Sequence, residues 1–346
     1  VRTLVIGDHF IPAQYYVDAF ASLGGDGPLR TVDWAGAKGE QHAAQQVMEV
    51  RGPGAVAASE EILDAVGDAE VLALHFAPIS RTVLDAGPDL KAVVVARTGL
   101  ENVDLAAATE RGIAVVPVFG RNASAVAELA IGLMLSEARD ISRADRSVKD
   151  GAWRKDFGGP GQEIGGSTVG LVGFGHVGRE LAARLRGFEV ELLVADPYVS
   201  DDSLGEYGAK RVDLDTVFRE SDFVHVLARL TPETERFITA RHFALMKPTG
   251  YFVNTSRSRL VDYDALYTAL ANGHIAGAGL DVFDSEPIAA DNPFRTLDNV
   301  TITTHFGGDT VTTNLRSARL VAEAIVSLER TGRVATAANA DALGWR

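Results

Sequence analysis

The chain has 346 residues, 46% of them hydrophobic, which suits two domains of ordinary size better than one. It has no cysteine, which excludes disulfides, thiolate metal sites and cysteine nucleophiles and fits a reducing, cytoplasmic setting; no metal site is expected. The formal net charge is −14 with no dense Lys/Arg block, and no apolar run reaches the ~20 residues of a membrane span, so neither nucleic acid nor membrane is an expected partner.

The opening run Val1–Gly7 reads as a first strand; its apolar core is too short for a signal peptide. Leu4–Ile6, Arg30–Val32, Val71–Leu74 and Ala92–Ala96 are short apolar runs followed by Gly, Pro or Asp, and Ala13–Leu23 and Glu60–Val66 read as helices between them. This alternation predicts a parallel sheet with right-handed crossovers. A long helix is expected from Asn122 to about Lys149, closed by Gly151 and Trp153, with an apolar first half suited to an interdomain or intersubunit spine. A second α/β run follows, with strands at Thr168–Val172, Glu191–Ala195, Phe223–Leu227, Tyr251–Asn254, Ala276–Asp281 and Val300–Thr304. The last predicted helix, about Thr310–Arg330, has no strand of its own and is expected to return to the N-terminal domain.

The strongest local signal lies in the second run. Gly173, Gly175 and Gly178 form a GxGxxG directly after the strand Thr168–Val172 and directly before an amphipathic helix. Glycines there allow a tight turn, close approach of a pyrophosphate to the backbone, and tight packing of helix on strand. The pyrophosphate would then meet the helix N-terminus at His176 and Val177. Asp196, eighteen residues after Gly178, ends the next strand, where a carboxylate accepts hydrogen bonds from an adenosine ribose and repels a 2′-phosphate. A glycine-rich turn with no ligand is the alternative; strand, glycines, helix and acid in register favour NAD.

Three further residues follow the carboxyl ends of predicted strands, the edge where open α/β sheets bind ligands: Arg257, Glu286 and His305. Oxidation of a C–H bearing a hydroxyl leaves a proton to be removed, and His305 is the natural acid/base. A carboxylate beside it, Glu286, would raise its pKa. Arg257 offers a planar fork for a substrate carboxylate and a charge to polarise a carbonyl. Taken singly, each also fits a turn or surface role, and sequence alone does not bring them together.

At these residues the chain resembles the D-isomer-specific 2-hydroxyacid dehydrogenases, the group of phosphoglycerate dehydrogenase and glyoxylate/hydroxypyruvate reductase. The resemblance is densest from Leu245-Met246-Lys247-Pro248 through Val253-Asn254-Thr255-Ser256-Arg257 to Gly279-Leu280-Asp281-Val282-Phe283 and Glu286-Pro287. It implies an α/β fold of two Rossmann-like, doubly wound domains with parallel sheets and an active site in the cleft between them. The expected division is 1–103 with 308–346 as a discontinuous substrate-binding domain, and 104–307 as the NAD-binding domain carrying the dimerisation helix of a homodimer. The resemblance also implies that Arg257, Glu286 and His305 are the catalytic trio and that Asp281 lies by the nicotinamide carboxamide. It adds Thr255, Ser256 and Gly307 to the cofactor residues. The Thr98-Gly99 loop is the expected backbone cradle for the substrate carboxylate, and Arg81, with Arg97, is a candidate for a distal phosphate or carboxylate. Two positions depart from the family pattern. Ser258 replaces the glycine after the catalytic arginine, and Leu227-Ala228-Arg229 replaces the usual His-x-Pro, so that Arg229 is a candidate for a 2′-phosphate; Asp196 outweighs it. The expected activity is hydride transfer between NAD(H) and a small D-2-hydroxy or 2-oxo acid. Glu286 argues against formate dehydrogenases, which pair their histidine with Gln. A non-enzymatic, NAD(H)-sensing corepressor-like protein of the same fold is the alternative.

Overall fold

The computed structural model describes residues 1–25 and 27–345, which form two compact units, Val1–Arg121 with Asp309–Arg346, and Asn122–Gly308. In the first, five strands β1 (Thr3–Gly7), β2 (Leu29–Asp33), β3 (Val71–Leu74), β4 (Ala92–Val95) and β5 (Ala114–Pro117) form a sheet of order β2-β1-β3-β4-β5. Every pairing is parallel. Side chains alternate between two buried faces, which is why β1, β3, β4 and β5 read as unbroken apolar runs. Leu4, Ile6, Leu72, Leu74, Val93 and Val95 pack into one core layer, whereas Val5, Val71, Ala73, Val94 and Val116 pack into the other.

The second layer explains the discontinuity. The helix Val311–Thr331 starts at Thr310, whose side chain caps Thr313 N–H, and ends at Gly332 in the left-handed region. It buries Ala318, Val321, Ala322 and Ile325 in the layer made by Val5 and Val94. Further on, Asn339 accepts from Val115 N–H at 3.0 Å and donates to Ile113 O at 2.9 Å, tying the C-terminal segment to the edge strand β5.

Residues 104–121 therefore belong to the first unit, not to the second as the sequence suggested. The helix Leu105–Glu110 leads into β5, which completes the first sheet, and the division falls at Arg121 and at Gly308. Four-residue β5 was missed, as was the helix Lys38–Arg51, which is rich in Gln, Glu and Ala and carries little apolar periodicity.

The second unit holds seven parallel strands: β6 (Thr168–Val172), β7 (Glu191–Ala195), β8 (Ala209–Arg211), β9 (Phe223–Val226), β10 (Tyr251–Asn254), β11 (Gly277–Leu280) and β12 (Val300–Ile302). Their order is β12-β11-β10-β9-β6-β7-β8, so the chain reverses direction across the sheet between β6 and β9. Ligands bind outside the carboxyl ends of strands at such a switch point.

The long helix expected over Asn122–Lys149 is two helices, Ala123–Ala138 and Ile141–Lys149. Asp140 sits between them at φ 55°, a left-handed conformation that Asp tolerates better than most residues. Ala138 O, freed by the break, accepts from Gln162 N–H at 2.7 Å. Arg143 turns back to Asp140 at 2.7 Å, to Glu137 O at 3.0 Å and to the buried Glu137 carboxylate at 3.5 Å.

Candidate active site and cofactor loop

Each glycine of the loop after β6 has its own physical cause. Gly173 adopts φ 100°, and a Cβ there would lie 2.7 Å from Ala228 N. A Cβ on Gly178 would lie 2.9 Å from Gly173 O, so the helix His176–Leu185 packs against the turn only because that side chain is missing. Gly175 differs: a Cβ there meets no protein atom within 4 Å and would fill open space above the helix N-terminus. Gly175 and His176 are exposed and Val177 is half-buried, so the first helical N–H groups face that space. This is the cradle a pyrophosphate requires.

Asp196, half-buried at the end of β7, is already engaged. Its Oδ2 accepts from Phe174 N–H at 2.7 Å and its Oδ1 from Tyr198 N–H at 2.8 Å, which leaves further lone pairs on both oxygens. It thus shapes the glycine loop as well as facing it. Arg211 and Arg179, which the sequence did not single out, flank the same turn. Arg211 donates to Asp196 O at 2.7 Å, to Asp201 Oδ1 at 2.6 Å and to Val199 O, while Arg179 donates to Ser203 Oγ at 2.6 Å. Neither carries a motif signal; only the fold brings them to Asp196.

Beyond β10, Ser256 Oγ donates to Ala228 O at 2.7 Å, joining the two loops that follow β9 and β10. Thr255 is buried, and its Oγ1 has no partner among the described residues. A buried unpaired hydroxyl at a sheet's carboxyl edge suits a polar ligand group. Arg229 is exposed in the loop after β9.

Asp281, only 2% exposed, braces the segment that carries His305. Its carboxylate accepts from Thr303 Oγ1 at 2.6 Å, Phe306 N–H at 3.2 Å and Gly307 N–H at 3.1 Å. Bonds on both sides of His305 hold that residue at φ 55°, a strained conformation for a non-glycine residue. His305 Nδ1 lies 2.6 Å from Glu286 Oε2, and Glu286 Oε1 accepts from Phe283 N–H at 2.9 Å. Nε2 is therefore the ring nitrogen left for a substrate.

The Glu286 hydrogen bond lifts the His305 pKa above the ordinary histidine value, against burial and the Arg257 cation. Burial pushes the Glu286 carboxyl up, but bonds from His305 and Phe283 and the charge of Arg257 bring it below its usual value. Arg257 is exposed and donates to Ser256 O at 2.7 Å, and its backbone carbonyl accepts from Asn254 Nδ2 at 3.1 Å. Its charge reaches both Glu286 and His305, so the three predicted residues share one neighbourhood. Ser258 opens a short 3-10 turn, Ser258–Leu260, and its φ is not positive, so the family's glycine is not required there.

In the first unit, Thr98 Oγ1 donates to Val118 O at 3.2 Å. A Cβ on Gly99 would lie 2.9 Å from Arg97 Nη2. Arg97 is buried, stacks over Phe76 at 5.0 Å, and pairs with Glu101 at 3.1 Å and Glu49 at 3.4 Å. Arg81 is exposed at the start of the helix Arg81–Ala86 and is engaged by Glu110 at 2.9 Å. The sequence reading missed a buried pair at the same sheet edge, Asp8 after β1 and His75 after β3, 3.3 Å apart. Burial takes the His75 pKa down to about 4, so the ring is neutral.

Residues 131–307 match the family model described as D-isomer specific 2-hydroxyacid dehydrogenase, NAD binding domain. The chain belongs to that family. Among curated relatives, a D-3-phosphoglycerate dehydrogenase of Archaeoglobus fulgidus is 40% identical over 282 residues, 81% of this chain and 53% of that protein. A glyoxylate reductase of Korarchaeum cryptofilum is 38% identical over 273 residues, 78% of this chain and 82% of that protein. Among solved structures, the apo D-lactate dehydrogenase of Escherichia coli has a TM-score of 0.71 at 29% identity and covers 96% of this chain and 98% of its own. The chain spans about half the length of the curated phosphoglycerate dehydrogenases it matches. NAD is the cofactor its family model specifies, and the open space at Gly175, the carboxylate of Asp196 and the orphan hydroxyl of Thr255 fit such a ligand.

Proposed function

We propose that this protein is an NAD-dependent dehydrogenase acting on a small D-2-hydroxy acid and its 2-oxo counterpart. The observation that carries the reading is the 2.6 Å bond between His305 Nδ1 and Glu286 Oε2. When bound, NAD(H) supplies the hydride acceptor or donor. In reduction, His305 gives the proton on Nε2 to the carbonyl oxygen as the carbonyl carbon gains hydride; in oxidation it takes the hydroxyl proton. Glu286 stabilises the imidazolium and fixes the ring. Arg257 binds the substrate carboxylate and polarises the carbonyl. Gly173, Gly175, His176, Val177 and Gly178 hold the pyrophosphate and Asp196 the adenosine ribose. Thr255, Ser256, Asp281 and Gly307 border the nicotinamide. Thr98 and Gly99 are assigned to the substrate carboxylate; Arg81, engaged by Glu110, is the weakest of the substrate assignments.

The relatives above bear dehydrogenase and reductase names, which favours turnover over the corepressor-like reading. We place the protein in the cytoplasm, in keeping with its lack of cysteine. We also propose a homodimer, because Ile141, Val148 and Trp153 expose 53%, 52% and 76% of their surface along one polypeptide stretch of the second unit. The test of function is NADH oxidation over glyoxylate, hydroxypyruvate, pyruvate, 2-oxoglutarate and phosphohydroxypyruvate. At least one is expected to be reduced by the wild type and about 10³-fold more slowly by His305→Ala; a variant that keeps a rate within about tenfold of the wild type overturns the assignment.

A further inference from the structure

We propose that Arg211, neutralised by Asp201, decides how well the adenosine end of the cofactor site accepts a 2′-phosphate, so that Asp196 and Asp201 together set the preference for NAD(H) over NADP(H). This rests on the assignment of Asp196 to the adenosine ribose. Arg211 ends β8, the strand beside β7, and its guanidinium engages the carbonyls of Asp196 and Val199 and the carboxylate of Asp201. From the other flank, Arg179 of the helix His176–Leu185 donates to Ser203 and lies 5.5 Å above the Phe174 ring. Two guanidiniums therefore bracket one turn that begins at Asp196, and the acid held by Arg211 is Asp201.

A planar guanidinium suits a phosphate at least as well as a carboxylate. The Asp201 side chain is 81% exposed, so its pair with Arg211 is solvent-screened and weak. Asp201 thus sets a carboxylate on the guanidinium that also holds the Asp196 carbonyl, and offsets the charge that would attract a 2′-phosphate. Arg229 is the cation the sequence offers for this role, but it follows β9, which lies on the far side of β6 from β7, about 10 Å away at ordinary strand spacing.

The test is equilibrium binding of NADH, NADPH and adenosine 2′,5′-bisphosphate, followed by calorimetry and nicotinamide fluorescence. Asp201→Ala keeps the Ser200 cap on Ser203 N–H, so the turn keeps its local restraint. It is expected to tighten NADPH and the bisphosphate by roughly three- to fivefold and to leave NADH unchanged within error. Adding Arg211→Met to Asp201→Ala is expected to remove the gain, and Arg229→Ala alone to change neither cofactor. The proposal is overturned if Asp201→Ala leaves NADPH affinity where it was, shifts both cofactors alike, or if Arg229→Ala weakens NADPH. Failure of every variant and the wild type to bind NADH sinks the ribose assignment and the proposal with it; intact NADH binding with an unmoved NADPH constant sinks the proposal alone.

Discussion

His305 combines a left-handed backbone with a ring fixed by a carboxylate, and backbone strain of that kind persists only where the surrounding structure enforces it. Strain there is held by Asp281, whose bonds fall on either side of it. His305→Ala is expected to lower turnover by about 10³-fold, the scale of a lost general acid/base, while NADH affinity measured by fluorescence stays within a few-fold. The glycine loop makes a second residue-scale claim. Gly173→Ala forces a Cβ against Ala228 N at φ 100° and should cost about 2 kcal/mol of stability in denaturant titration, with NADH affinity lost in parallel. At this scale the sequence was informative wherever a motif carried the chemistry, as at Gly173 or Arg257. It was silent on Arg211, Arg179 and the Asp8–His75 pair, because lone charged residues acquire meaning only when strand order makes them neighbours.

Among the elements, apolar strands were legible because both faces of each sheet are buried, so β3, β4, β6 and β10 stand out as continuous runs. The polar edge strand β8 was not. The single helix expected over Asn122–Lys149 failed for a local reason: nothing in helix periodicity announces a left-handed Asp140. The break is built around Glu137, whose carboxylate is buried against Thr301 and Arg143. Burial raises the Glu137 pKa to about 6, against bonds from Thr301 and the Arg143 charge. A carboxyl raised on folding is most stable protonated, so its contribution is full below the unfolded value and lost as pH rises through about 6. Glu137→Gln should flatten the pH dependence of unfolding free energy between about pH 4 and 7 by about 2 kcal/mol. A variant with the same slope as the wild type would show that Glu137 does not titrate there.

At the scale of the whole chain, the return of the final helix to the first unit was legible from a helix without a strand, but the boundary at Arg121 was not, since nothing in the short run Ala114–Pro117 says which of the two sheets it joins. The C-terminal segment is held there by the Asn339 amide and by Ala338 N–H, which donates to Val115 O at 2.7 Å, as well as by apolar packing. Asn339→Ala leaves Val115 N–H and Ile113 O buried without those partners, which should destabilise the first unit by about 2 kcal/mol and speed hydrogen exchange at β5 before the second unit is affected.

The most direct test of catalysis by a carboxylate-backed imidazole is the pH dependence of kcat/KM for reduction of the best 2-oxo acid, in the wild type and in Glu286→Gln. Reduction needs the protonated ring, so the wild-type rate should fall as pH rises through a value above the ordinary histidine pKa, and that falling limb should move to lower pH in the variant. Superimposable profiles would contradict the account.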